Sequence, residues 1–456
     1  MISAHGLGGA SDLPIPASLA IAGGTAALTV SFVILLLAWR TPRFGDPRVG
    51  RPVPAPLARL IDSGAFDVTV RTAGIVFFAF VVGVAVAGRD LLTNPVFGIV
   101  YVWLWVGIVP ASLLFGPFFR AVSPARTMYL LLSRLIGGDP DHGLRSYPTG
   151  WGYWPAALGL FAFVWLELVW PGATYLDDVR LWFALYLAAV VVGAAVFGSK
   201  WLERADPFEV YSTLVGHLSI WARREDGSLV WRSPLRNLAQ IRGEPGLVAV
   251  VAVLLGSTAY DSFRESNFWL RFTQSTTVNV TLISTGALLT ALLIVGLTFS
   301  VATLMSGSDQ RPAGQIAGRT DGPVSTRFLD TRSALPGAFA HSVVPIVVGY
   351  MVAHYLTFFV EYGQQTLIQV SDPLGTGADL FGTGDWQVRY WISSHPTALA
   401  SIKVLAIVTG HVLGVIAAHD QAIRTLARRD QVIGQLPLLF AMVLYTFGGL
   451  YLLFGT

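Results

Sequence analysis

The chain has 456 residues, of which 54% are hydrophobic and only 12% are charged. A soluble domain carries about 25% charge, so this composition is that of an integral membrane protein. The absence of cysteine excludes disulfides, thiolate metal sites and cysteine nucleophiles, and the net charge of +3 has meaning only once it is mapped onto the two sides of a membrane.

The first 16 residues, MISAHGLGGASDLPIP, lack the basic start and apolar run of a cleavable signal, so the first membrane segment is expected to insert by itself. Apolar runs of about 17–25 residues read as spanning helices. Ten are expected, near 17–39, 72–88, 96–119, 153–172, 181–198, 246–263, 278–304, 336–360, 397–417 and 433–454. The predicted class is therefore an all-α polytopic bundle forming a single membrane domain over 1–456, with Gly (47) and Pro (25) suited to close packing and bends. Pro110 and Pro345 fall inside spans, as in the broken helices of transporters.

The loops 40–71, 120–150, 199–245, 305–334 and 418–432 hold 24 Arg and Lys, whereas the alternate loops hold five. By the positive-inside rule both termini face outward. The preference for Arg over Lys reads as GC-rich bacterial coding, so a bacterial plasma membrane is the expected location. Two cytoplasmic pieces, 123–138 and 206–224, read as interfacial helices. Each begins Ser/Asp-Pro and leads to a span with a carboxylate near its outer end, Glu167 and then Asp261. In 206–224 the residues Phe208, Tyr211, Leu214 and Leu218 share a side. The loop 199–245 thus carries an interfacial helix, 305–334 reads as a flexible connector, and the Gly/Asp-rich outer loop 361–396 reads as a lid.

Ionisable groups within a bilayer are costly and mark function by default. In VVGYMVAHYLTFFVEYGQQ (347–365), Tyr350, His354, Thr357, Glu361 and Gln365 fall within an arc of about 80° at 100° per residue. Asp261, near Ser257, Arg264 and Glu265, and Lys403, about 9 Å below the outer end of its span, lie at a similar outer level. Their convergence would make a polar chamber opening outward. His354 and Glu361 are about 10 Å apart along a helix, too far to share a metal ion alone. A divalent zinc, iron or copper ion there would need His5 or His395 as further ligands. Glu361, Asp261 and Lys403 are the candidate catalytic groups, as base and as orienting or polarising charges. A second group, His341, His411, His419 and Asp420, is too dispersed for haem and is expected to be a hydrogen-bond network at the inner end, with Gly410 and Gly414 admitting a neighbouring helix. No phosphate loop, dinucleotide fingerprint or H-E-x-x-H is present, and membrane lipids or a membrane or peripheral protein, but no nucleic acid, are the expected partners.

The segments SAHGLGGASDLPIP, AHYLTFFVEYGQQ, SDPLGTGADLFGTGDW and GHVLGVIAAHDQAI resemble polytopic bacterial, largely actinobacterial, membrane proteins, some of which are labelled fenitrothion hydrolase. The resemblance implies hydrolysis of an organophosphorus triester by a metal-activated water, and it carries no assigned catalytic residues. In those relatives the AHG follows a signal peptide; here Met1 to Ala4 precede His5, which therefore offers only its imidazole. Three expectations follow: a membrane-embedded, metal-dependent hydrolase of a lipophilic ester or organophosphorus substrate; a transporter or metal-handling permease using the same chamber; and a non-catalytic membrane subunit.

Overall fold

The computed structural model describes residues 13–306, 332–426 and 430–454. In chain order the principal helices are α1 (Ala17–Ala38), α2 (Gly64–Ala87), α3 (Pro95–Leu104), α4 (Ile108–Phe115), α5 (Pro124–Leu135), α6 (Trp154–Leu168), α7 (Leu176–Phe197), α8 (Pro207–Gly216), α9 (Leu247–Arg264), α10 (Val280–Leu304), α11 (Arg332–Ser371), α12 (Pro396–Thr425) and α13 (Gln431–Phe454). Eight of them, α1, α2, α7, α9, α10, α11, α12 and α13, are each long and apolar enough to cross a membrane. This is an α-helical membrane protein.

Two of the ten expected spans take another form. The run near 96–119 is a bent pair, α3 and α4, meeting at 45°. Pro110 lies at the third position of α4, where it lacks an amide and its ring crowds the carbonyl four residues back, and the chain breaks just there. The run near 153–172 yields only the 15-residue α6, because Pro171 and Gly172 follow its end. Polar caps set several starts: Ser63 accepts from the Phe66 amide, Asn94 from Val96, Ser123 from Arg126 and Asn279 from Leu282.

The chain divides into two compact units, and the division falls inside α11, between His354 and Tyr355. The first comprises Gly50–Arg232 and Tyr355–His395. Its centre is aromatic, with Trp105 against Phe163 (5.1 Å between ring centroids) and Tyr211 (5.2 Å), and Phe163 against Phe208 (5.2 Å). The segment 206–224 departs from the expected interfacial helix. It is helical only to Gly216, and Phe208, Tyr211 and Leu214 are buried along with Glu209 and Ser212 on other sides of the turn. Glu209 forms a buried ion pair with Arg126 (Nη2–Oε1 2.5 Å, Nε–Oε2 2.8 Å), while Ser212 Oγ lies 2.8 Å from Ser112 Oγ. Internal polar partners explain why the piece enters the protein. The 123–138 piece is helical over α5 and does keep an apolar outer side, with Leu131, Leu132 and Leu135 exposed.

The expected purely helical class needs one small amendment. Residues after Gly216 form β2 (Trp221–Arg223) and β3 (Leu229–Trp231), which join β1 (Arg51–Pro52) in an antiparallel sheet of order β1-β3-β2. Arg51 and Trp221 both pair with Trp231, so this sheet staples two of the Arg-rich loops together.

The second unit comprises the described residues up to Val49, Ser233–His354 and those from Pro396 onward. Glycine governs its closest helix approaches. A Cβ at Gly410 would lie 2.5 Å from the Pro345 carbonyl oxygen, and one at Gly414 would lie 2.7 Å from that of Ser342. The small-residue pair on α12 thus admits the first half of α11, as its spacing predicts. In the same way Gly256 on α9 would meet the Leu292 backbone at 2.9 Å. The most apolar windows of α9 and α11 are 72% buried, against 6% for α2, which makes α9 and α11 interior helices and α2 an exposed apolar one. Most of the expected 305–334 connector (307–331) lies outside the described residues.

Candidate functional site

The last turn of α9 and the middle of α11 bring three side chains of the second unit together. His354 Nε2 lies 2.9 Å from Asp261 Oδ2, and His354 Nδ1 lies 3.1 Å from Ser262 Oγ. In the neutral tautomer that matches donors to acceptors, Nε2–H donates to the carboxylate and Nδ1 accepts the serine O–H. All three are buried, with 1% of Asp261, 2% of His354 and 7% of Ser262 exposed. Consecutive residues 261 and 262 point about 100° apart on α9, which lets them flank one imidazole.

Charges compensate one another around this trio. Arg264 Nε is 2.8 Å from Asp261 Oδ1, one turn along the same helix. Glu265, just past the end of α9, has its carboxyl raised by burial, and it also feels the charges of His354, Asp261, Arg264 and Lys403. Lys403 is buried on α12. Two acidic and two basic side chains thus share the locality, which lets each offset the cost of burying the others.

The predicted residues fall in both units. Asp261, Lys403 and His354 come together in the second unit, with Arg264 and Glu265. Glu361 belongs to the first unit, inside a π-helical turn at Phe358–Tyr362, where its Oε1 accepts from the Ser393 amide (3.0 Å) and hydroxyl (2.5 Å). The extra residue in such a turn breaks the even 100° spacing of the stripe. Tyr350 donates to the Tyr445 carbonyl (2.7 Å), so it has a structural partner. Glu167 is buried at the end of α6 in the first unit.

The described residues do not assemble the expected metal site. Both ring nitrogens of His354 bond to Asp261 and Ser262, which leaves neither lone pair directed at an ion. His395 is exposed, its Nδ1 2.8 Å from the Trp391 carbonyl and its ring 4.9 Å from that indole. His5 lies outside the described residues. Among the described residues no three His, Asp or Glu side chains form a group that could hold a metal ion.

Ser262 escapes a sequence reading because it lies off the polar stripe that Asp261 shares with Ser257 and Arg264. The one available signal is the dipeptide Asp261-Ser262 at the end of an apolar span. The residues expected at the inner end form hydrogen bonds: His419 reaches the Gln435 side chain and the Trp39 carbonyl (both 3.0 Å), Asp420 accepts from the Arg43 amide (2.6 Å), and His411 bonds the Ile407 carbonyl (2.9 Å). The segment 361–396, expected to be an outer lid, begins as helix to Ser371 and only then turns. Comparison with family models, with curated proteins and with solved structures finds no match for this chain.

Proposed function

We propose that this chain is a bacterial plasma-membrane protein of ten membrane segments, termini outward, that hydrolyses lipophilic esters, with His354 as general base. The observation that carries this reading is the imidazole bridging Asp261 and Ser262 at 2.9 and 3.1 Å. Asp261 fixes the tautomer and stabilises the imidazolium that forms when Nδ1 takes a proton. The Ser262 hydroxyl is the group whose proton is in reach, which makes it the nucleophile for a carboxylic ester. Attack joins Ser262 Oγ to the ester carbonyl carbon; the alkoxide leaves with the proton held by His354, and water then releases the acid by the same base. Arg264 and Lys403 supply positive charge near the developing oxyanion. An organophosphorus triester fits the same base, with phosphorylation of Ser262 as the first step. The burial of the trio matches a substrate that arrives from lipid.

The test is reconstituted protein with p-nitrophenyl esters of increasing chain length and a serine-directed fluorophosphonate. Ester turnover with label on Ser262 supports the reading. Turnover unchanged in Ser262→Ala and His354→Ala would overturn it.

A second reading rests on a separate observation: His354, Asp261, Arg264 and Lys403 all act electrostatically on Glu265, and such groups of ionisable side chains serve as proton relays in transporters. Substrate-driven proton uptake in sealed liposomes, lost in His354→Ala while ester turnover stays absent, would favour it.

A further inference from the structure

A cavity of about 530 Å³ lies in the first unit, between the segment joining α2 to α3 and the turn after α11. It falls within the range of ligand sites, roughly 300–1,000 Å³. Arg89, Gln369, Asp372, Asp379 and Asp385 are among its walls. Its depth follows from the helices that frame it. α2 ends at Ala87, α3 starts at Pro95 and α11 ends at Ser371, so the cavity begins where three membrane helices stop. The two walls touch: a Cβ at Gly88 would lie 3.2 Å from the Pro373 carbonyl oxygen.

The charge pattern is specific. Asp372 accepts from the amides of Thr376 and Gly377 (2.9 Å each), and Asp379 Oδ1 accepts from the Ser371 hydroxyl (2.5 Å) and the Gly384 amide (2.9 Å). These bonds hold both carboxyls below the usual carboxylate range, the Gly377 amide first for Asp372 and the Ser371 hydroxyl first for Asp379. Gly375, Gly377 and Gly382 have φ of 67°, 83° and 68°, values that glycine alone adopts readily, in the loop whose amides donate to these carboxylates. Three carboxylates and one guanidinium, Arg89, thus line the same cavity. Around them Leu91, Leu92, Leu380, Phe381 and Trp386 are exposed, the side-chain types that sit at a membrane–water boundary.

We propose that this cavity binds the zwitterionic headgroup of a primary-amine phospholipid, a phosphoethanolamine, with the ammonium toward the carboxylates and the phosphate at Arg89. Net negative charge favours the cationic end, a single guanidinium accepts the phosphate, and the exposed apolar rim lies against the acyl region. A primary ammonium donates three hydrogen bonds to carboxylates, which a trimethylammonium cannot do.

The test uses the full chain in detergent, titrated with short-chain phosphatidylethanolamine, phosphatidylcholine and phosphatidylglycerol, and with soluble glycerophosphoethanolamine, binding being read by native mass spectrometry. Phosphatidylethanolamine should bind about tenfold more tightly than the other three, and Arg89→Gln and Asp385→Asn should each lower its affinity about tenfold. Both side chains are exposed, so melting temperature should stay unchanged. Equal binding of phosphatidylglycerol, or wild-type affinity in both variants, would overturn the headgroup site. Glycerophosphoethanolamine binding as tightly as the lipid would overturn the assignment to a membrane lipid.

Discussion

His354 on α11 and Asp261 on α9 share a hydrogen bond of 2.9 Å with at most 2% of either side chain exposed. The bond joins two interior helices and orients the imidazole toward Ser262. If His354 is the base, His354→Ala should lower ester turnover by about 10²–10⁴-fold. Asp261→Asn should lower it comparably, since an amide can present the wrong group to Nε2. Rates and melting temperature are measured on the same reconstituted samples. A variant that melts normally and keeps full turnover would sink the assignment.

Arg126 and Glu209 pair at 2.5 Å with 5% and 1% of their side chains exposed. Removing one partner leaves the other charge buried, so Arg126→Met should destabilise the protein by about 3–5 kcal/mol. The double change Arg126→Met with Glu209→Leu should recover most of that loss. Denaturation monitored by tryptophan fluorescence checks the cycle, and equal loss in single and double variants would contradict it.

Gly410 packs where a Cβ would lie 2.5 Å from the Pro345 carbonyl, whereas a Cβ at Gly83 on α2 would meet nothing within 4 Å. Gly410→Ala should therefore cost about 1–3 kcal/mol by overpacking. Gly83→Ala should be neutral or slightly stabilising, since alanine favours helix. Melting temperatures in one detergent decide the comparison, and the reverse order would disprove the packing argument.

Asp206 caps α8, accepting from the Phe208 and Glu209 amides, and Tyr186 Oη donates to the same oxygen at 3.0 Å. Burial, and then the neighbouring Glu209, push its carboxyl up from 3.8 to about 7. An acid with a raised folded pKa holds its proton more firmly when folded. Its contribution is full below the unfolded value and is lost as pH rises through about 7. Melting temperature should accordingly fall from mildly acidic to alkaline pH, and Asp206→Asn, which retains a capping oxygen, should flatten that fall. An equal slope in both proteins would refute the assignment.

Much of the helical frame is legible in the residues taken singly. Apolar runs mark eight long spans because a helix must be about 20 residues long to cross hydrocarbon. Gly410 and Gly414 announce a close approach because only a missing side chain permits one. The bend near Pro110 follows from a missing amide. The failures have equally local causes. The segment 206–224 looks amphipathic, yet Glu209 and Ser212 have buried partners 83 and 100 residues away, and no window of sequence contains both ends.

The residue alphabet and its periodicity determined that this is a helical membrane protein, where its helices run and which ionisable groups would be costly to bury. Tertiary structure decided which of those groups meet. It set His354 between Asp261 and Ser262, placed Glu361 in the other unit with Ser393, and drew Arg89 to the Gly/Asp-rich turn. Hydrophobicity sums along a chain and so can be read from it, whereas a hydrogen bond needs two atoms within about 3 Å, and only the fold brings distant residues that close.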